Sequence, residues 1–237
     1  MEKIYEAAKG NLSESAAQNV VDWLEKPKYA EYRDELVQMI EAGQWQELED
    51  GFFKIIEFGT GGRRGTTGIG SNRINRVTMG ESAQALCEYA KRFDAEAPQK
   101  GVVIACDTRL SSPELSEYVA TVCAANGFTT YIFDGFRSTP ELSFALRELG
   151  CAAGIVVSAS HNPPADNGFK AYWSDGGQLV PPHDKGVLDA AADIENIASC
   201  DYQQAVADGK IVIIDDEIDQ KYIAAVVAEA EGDVRDL

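Results

Sequence analysis

The sequence predicts an α/β fold, a three-layer sandwich around a mainly parallel mixed sheet, preceded by a helical N-terminal extension. From residue 101 onward, short apolar runs rich in β-branched residues (Gly101–Cys106, Thr129–Phe133, Ile155–Val157) alternate with helical patterns. Such alternation is the signature of strands joined by crossover helices and stacked in layers. The first fifty residues instead repeat apolar side chains at spacings of three to four, as amphipathic helices do. With 237 residues, 45% of them apolar and 25% charged, the chain has material for one good core and part of a second.

In chain order, Ser13 is placed to cap a helix running to about Glu25, with Ala17, Val20, Val21 and Leu24 on one face, and Pro27 breaks it. A second helix is predicted from Ala30 to Ala42, aligning Tyr32, Leu36, Met39 and Ile40 before Gly43. Trp23, Tyr29, Tyr32 and Trp45 follow the same spacing and are read as core-facing. Phe52 to Phe58 alternates toward a strand, and Gly59–Gly70 then holds six glycines in twelve residues. Such a backbone can approach a ligand closely and turn its N–H groups toward an anion. A helix is predicted from Val77 to about Phe93, closed at Ala97-Pro98. The buried strand Gly101–Cys106 delivers Asp107-Thr108-Arg109 to its carboxyl end, where ligands gather in α/β sheets.

Ser112-Pro113 opens the next helix and Asn126-Gly127 stops it; Thr129–Phe133 is a strand, and Ser138 starts a helix in capping-box style that ends at Gly150. Ile155–Val157 and Phe169–Tyr172 read as strands flanking a loop, and a helix is expected from Lys185 to Ala198. His183, beside two prolines, reads as a capping or surface group. Ile211–Ile214 looks like a fresh strand, and the acidic Asp215–Asp219 a helix start. The organisation expected is an extension over residues 1–50, a main domain over 51–208 and the start of another over 209–237.

The stretch Gly154–Tyr172 carries the chemistry, bringing a hydroxyl (Ser160), an imidazole (His161) and an amine (Lys170) together around one loop. Adjacent residues point different ways, so His161 is a poor base for Ser160, and no glycine stands two residues from Ser160 on either side. A serine hydrolase is disfavoured. A loop serine can instead carry a phosphoryl group, which brings about −1.5 to −2 charges and needs cations and donors nearby. His161, Asn162 and Lys170 are such neighbours.

Net charge is −18, which argues against nucleic acid as a partner. Cations are nevertheless concentrated locally, with Arg63, Arg64, Arg73 and Arg76 inside fourteen residues. Neither a Walker-type phosphate loop nor Gly-x-Gly-x-x-Gly is present. Two histidines and no paired cysteines exclude a zinc site, and the five scattered cysteines suit reduced thiols in a cytoplasmic protein. No signal peptide or membrane span is expected.

Ser158-Ala-Ser-His-Asn-Pro163 followed by Asn167-Gly-Phe-Lys170 resembles the phosphoserine loop of the α-D-phosphohexomutases, whose usual form begins with Thr. Phe58-Gly-Thr-Gly-Gly-Arg-Arg-Gly65 is similar to that family's active-site Phe-Gly-Thr-Ala/Ser-Gly-Leu-Arg-Gly, with Arg63 where leucine is usual. Ser71–Asn75 resembles the branch holding phosphoglucomutase 2 and phosphopentomutase-like enzymes. The resemblance implies catalytic roles for Ser160, His161, Lys170 and Arg64, and sugar-phosphate contacts from Arg64, Thr60, Asn162, Lys170 and Arg109. It further implies glucose 1,6-bisphosphate as intermediate and Mg2+ bound to Ser160 through its phosphate. The family's Asp-Gly-Asp-x-Asp-Arg metal loop is absent. The likeness spans roughly residues 52–235 and corresponds to the first of four domains plus the start of the second. The chain is therefore expected to be an incomplete phosphoglucomutase or phosphomannomutase, inactive or nearly so alone, the alternatives being a glucosamine or pentose phosphate mutase or a non-catalytic sugar-phosphate-binding domain.

Overall fold

The apolar stripes of the first fifty residues fold as four helices that bury them against one another. In the computed structural model, which describes residues 2–59, 62–192 and 194–229, these are α1 (Glu2–Asn11), α2 (Glu14–Glu25), α3 (Arg33–Glu41) and α4 (Trp45–Phe52). Ser13 caps α2, its hydroxyl accepting from the Ala16 amide at 3.3 Å. Trp23 is the hub of this bundle, stacked on Tyr29 at 4.5 Å and meeting Phe52 edge-on at 5.3 Å. The second helix begins later than its pattern suggests, because Pro27–Tyr32 forms a 3-10 turn before α3 takes over.

The strand expected over Phe52–Phe58 does not form: Phe52 ends α4, and the following segment has no ladder partner among the described residues. Its alternation is real, with Ile56 and Phe58 buried and Glu57 exposed between them. The strand lies instead in the glycine-rich stretch, as β1 (Gly62–Thr66). Next come α5 (Arg76–Phe93), α6 (Ala97–Lys100), β2 (Val102–Cys106), α7 (Ser112–Ala125), β3 (Thr130–Phe133) and α8 (Thr139–Glu148). The remaining elements are β4 (Ala153–Val157), β5 (Asp166–Trp173), α9 (His183–Ala192), α10 (Tyr202–Ala207), β6 (Ile211–Ile214) and α11 (Asp216–Ala228). The helix expected to reach Ala198 stops at Ala192. Beyond it, Ile194 is buried in the main core and the Ala198 amide donates to Gln84 of α5.

Among the described residues the strands form one sheet in the order β1-β5-β4-β2-β3-β6. β4, β2, β3 and β6 run parallel, while β5 and β1 are antiparallel additions at one edge. Every residue of β2 and β4 is buried, as parallel strands covered on both faces require. On one face, Ile104, Ile155 and Phe169 pack with Leu86 of α5, Val119 of α7 and Val187 of α9. On the other, Val103, Val156 and Tyr172 pack with Leu142 and Leu146 of α8 and Ile218 of α11. The result is the mixed three-layer α/β sandwich that the sequence predicts. β6, expected to open a separate unit beyond residue 208, pairs with β3 and completes this sheet. No helix among the described residues is long and apolar enough to cross a membrane.

Candidate active site

Because β2 and β4 are parallel neighbours, their carboxyl ends open onto the same edge of the sheet, and the Asp107 amide donates to the Val157 carbonyl at 3.1 Å. The loop after β4 turns there and returns as β5, setting residues 158–165 beside residues 107–111. Ser160 sits exposed in this turn with φ +57°, a left-handed conformation that costs a non-glycine residue about 1 kcal/mol or more. Its amide donates to the Ser158 hydroxyl at 2.9 Å.

Arg109 holds the loop in that shape. Its Nη2 donates to the carbonyls of Ser160 (3.0 Å) and Asn162 (2.8 Å), and its Nη1 to those of Pro163 (2.6 Å) and Asp166 (2.8 Å). Its Nε donates to Asp107 at 3.1 Å, so all five guanidinium N–H groups are engaged. Asp107 also accepts from the Arg109 amide and, at 2.6 Å, from the Ser112 hydroxyl. Burial pushes the Asp107 carboxyl up, but the bonds from Ser112 and Ser158 and the Arg109 charge outweigh it and hold the group below its usual range. Arg109, expected to contact substrate phosphate, is thus committed to the loop backbone and has no N–H left for a ligand.

The β1–β5 register places Arg64 opposite Gly168 and Gly62 opposite Lys170, so the Arg64 and Lys170 side chains share one face of the ladder. Arg64 is exposed and reaches Asn162 Oδ1 at 3.3 Å, while Asn162 Nδ2 donates to Asp166 at 2.8 Å. Lys170 is half-buried and makes no hydrogen bond or ion pair among the described residues. Burial lowers its pKa, and the Arg64 charge lowers it further. His161 is exposed beside Ser160. Ser160, His161, Asn162, Arg64 and Lys170 therefore gather at one edge, and Thr60 lies outside the described residues.

The run of arginines does not converge in space. Arg63 is buried against Glu81 at 2.9 Å, Arg73 donates to the Asp50 carbonyl at 2.9 Å, and Arg76 lies 3.3 Å from Glu31. Only Arg64 of the four contacts the Ser160 loop among the described residues. Sequence reasoning missed Asp166, which accepts from Thr66 at 2.9 Å as well as from Asn162 and so ties β1 to the loop. It also missed Asn167, fully buried and donating to Ser111 and Ser112 at 2.8 and 2.9 Å. An Asp-Asn pair just before an apolar strand was the available signal.

Toward the divalent cation that the resemblance implies, this edge offers Ser160 and the carboxylates of Asp107 and Asp166, which are already taken up by Arg109 and Ser112 and by Thr66 and Asn162. Among the described residues no three His, Cys, Asp or Glu side chains stand close enough to hold a metal ion. The residues present do not fit a cation site by themselves.

Residues 56–198 match the model of the phosphoglucomutase/phosphomannomutase α/β/α domain I. A phosphoglucomutase of Staphylococcus saprophyticus is 40% identical over 180 residues, 75% of this chain and 32% of that protein. Human phosphopentomutase is 35% identical over 179 residues, 73% of this chain and 29% of its own length. The chain thus spans about a third of the length of these relatives. The crystal structure of a phosphoglucomutase/phosphomannomutase family protein from Burkholderia thailandensis shares the fold, with TM-score 0.56 and 22% identity over 73% of this chain and 36% of that one.

Proposed function

The chain belongs to the phosphoglucomutase/phosphomannomutase family, and on that premise we propose that it is the phosphoserine-bearing domain of a sugar phosphomutase. Ser160 carries the phosphoryl group and exchanges it with a sugar phosphate, moving phosphate between C1 and C6 of glucose through glucose 1,6-bisphosphate. One observation supports this above the rest: Ser160 is exposed at the tip of a loop clamped by Arg109, with two cations, Arg64 and Lys170, on the adjoining strand face.

In the forward transfer a sugar hydroxyl attacks phosphorus, a new O–P bond forms, and the bond to Ser160 Oγ breaks. Lys170, held below the ordinary range of an amine, takes the proton from the attacking hydroxyl and returns one to the departing Ser160 oxygen. Arg64 neutralises the charge spread over the phosphoryl oxygens, the main requirement of such transfers. His161 and Asn162 orient the sugar phosphate or the loop. In the reverse sense the bisphosphorylated sugar returns its other phosphate to Ser160, and the same two proton movements run backwards.

Identity to a phosphopentomutase favours one second reading, a pentose phosphate as substrate. Spanning a third of its relatives, the chain alone is expected to turn over little sugar. Cytoplasmic location belongs to the same proposal, supported by five unpaired cysteines. The test is to load the chain with phosphate from glucose 1,6-bisphosphate, then challenge it with glucose 6-phosphate, mannose 6-phosphate or ribose 5-phosphate and follow its mass. Fastest discharge to glucose 6-phosphate supports the first reading, and fastest discharge to ribose 5-phosphate the second. A chain that keeps its phosphate against all three contradicts both and points to a sugar-phosphate-binding domain.

A further inference from the structure

Behind β1, on the side away from Ser160, a cleft of about 420 Å³ separates the N-terminal helices from the α/β domain. That volume lies in the range of small-molecule pockets, roughly 300–1,000 Å³. Its apolar walls include Trp23 and Tyr29 of the extension and Phe58 of the domain, and none of its lining residues belongs to the Ser160 loop. We infer that this cleft binds a small organic carboxylate with an apolar body.

Charge carries the argument. Arg63 lines the cleft at 6% exposure, where Nη1 donates to the Thr78 carbonyl at 2.8 Å and to Glu81 at 2.9 Å. Lys28 Nζ reaches the other Glu81 oxygen at 2.8 Å. Two cations thus share one carboxylate, leaving the buried cluster with an excess positive charge. The other charged groups of the lining are Lys26, paired with Asp22 at 2.6 Å, and the exposed Glu57, which lies 3.5 Å from Lys54 outside the lining, so the excess is confined to the buried Arg63–Glu81–Lys28 cluster. Arg63 Nε is buried and finds no acceptor among the described residues. Buried donors and charges are expensive unless partnered, so the cleft lacks one anionic acceptor. Its apolar walls favour an organic acid over inorganic phosphate, which gains nothing from them. Arg63 and Arg64 alternate across β1, which puts this cleft directly behind the strand that presents Arg64.

The experiment is a ¹H–¹⁵N NMR titration of the chain with benzoate, run in parallel with inorganic phosphate. Saturable benzoate shifts are expected at the amides of Lys28 and Arg63 and their neighbours, with phosphate much weaker. Arg63→Leu leaves Glu81 paired with Lys28 and is expected to weaken benzoate at least tenfold. Lys28→Gln leaves Glu81 paired with Arg63, weakens it in the same direction, and decides the matter if Arg63→Leu does not fold. No saturable benzoate response in the wild type, undiminished binding in the folded variants, or equal shifts with phosphate would each overturn the inference.

Discussion

Arg109 donates to the carbonyl of Ser160 itself at 3.0 Å, and its other four N–H groups go to Asn162, Pro163, Asp166 and Asp107. The shape of the loop is thereby set by a residue more than fifty positions away rather than by the loop's own sequence. Lysine keeps the charge but cannot reproduce the planar fork. Arg109→Lys is expected to lower stability by about 2–3 kcal/mol and to speed amide hydrogen exchange in residues 160–167. Denaturant unfolding with exchange mass spectrometry checks both, and unchanged exchange in the loop would contradict the clamp.

The left-handed backbone at Ser160 predicts an ordering of variants. Glycine adopts that conformation freely, although it loses part of the advantage through the unfolded chain, whereas alanine meets the same obstacle as serine. Ser160→Gly should be more stable than Ser160→Ala by about 0.5–1 kcal/mol. Denaturant midpoints read the difference. A glycine variant weaker than the alanine variant would mean that the strain is absent.

Lys170 is lowered by burial first and by Arg64 second. Its folded value lies below the ordinary lysine range, so the cation is disfavoured in the native state. The associated loss of stability is full below the folded pKa, shrinks as pH rises above it, and is gone only above the unfolded value. Arg64→Leu should move the Lys170 titration upward, toward the usual value near about 10.4. Titration of the lysine side chain by NMR measures this directly, and an unmoved midpoint would show that the two cations do not face each other.

Gly168 lies between two neighbouring strands: a Cβ there would stand 2.6 Å from the Arg63 carbonyl oxygen and 2.9 Å from that of Ser158. Both obstacles are backbone and cannot rotate away. Gly168→Ala is expected to destabilise the chain by about 2 kcal/mol, read as a lowered Tm. A Tm equal to wild type would show that β1 is free to shift.

What was legible in the sequence was local. The strand, loop and strand around Ser160 announce themselves in consecutive residues, as do the caps at Ser13 and Ser138 and the alternation of strands with helices. Arg109 was visible as a polar residue at a strand end, but its commitment to carbonyls more than fifty residues later depends on β2 and β4 being neighbours. The clustered arginines misled for a related reason. Consecutive residues of a strand face opposite ways, so Arg63 turns inward to Glu81 while Arg64 turns toward Asn162. β6 read as a new beginning because its partner β3 lies some eighty residues earlier. Ile56 and Phe58 alternate as a strand does, yet alternation reports burial and not the presence of a ladder partner.

The central claim is that Ser160 accepts phosphate, and intact-mass spectrometry of the chain before and after incubation with glucose 1,6-bisphosphate tests it most directly. The expected result is a gain of one phosphate, located at Ser160 by peptide mapping and absent from Ser160→Ala. A phosphate that appears equally on Ser160→Ala, or no gain in the wild-type chain, would contradict it.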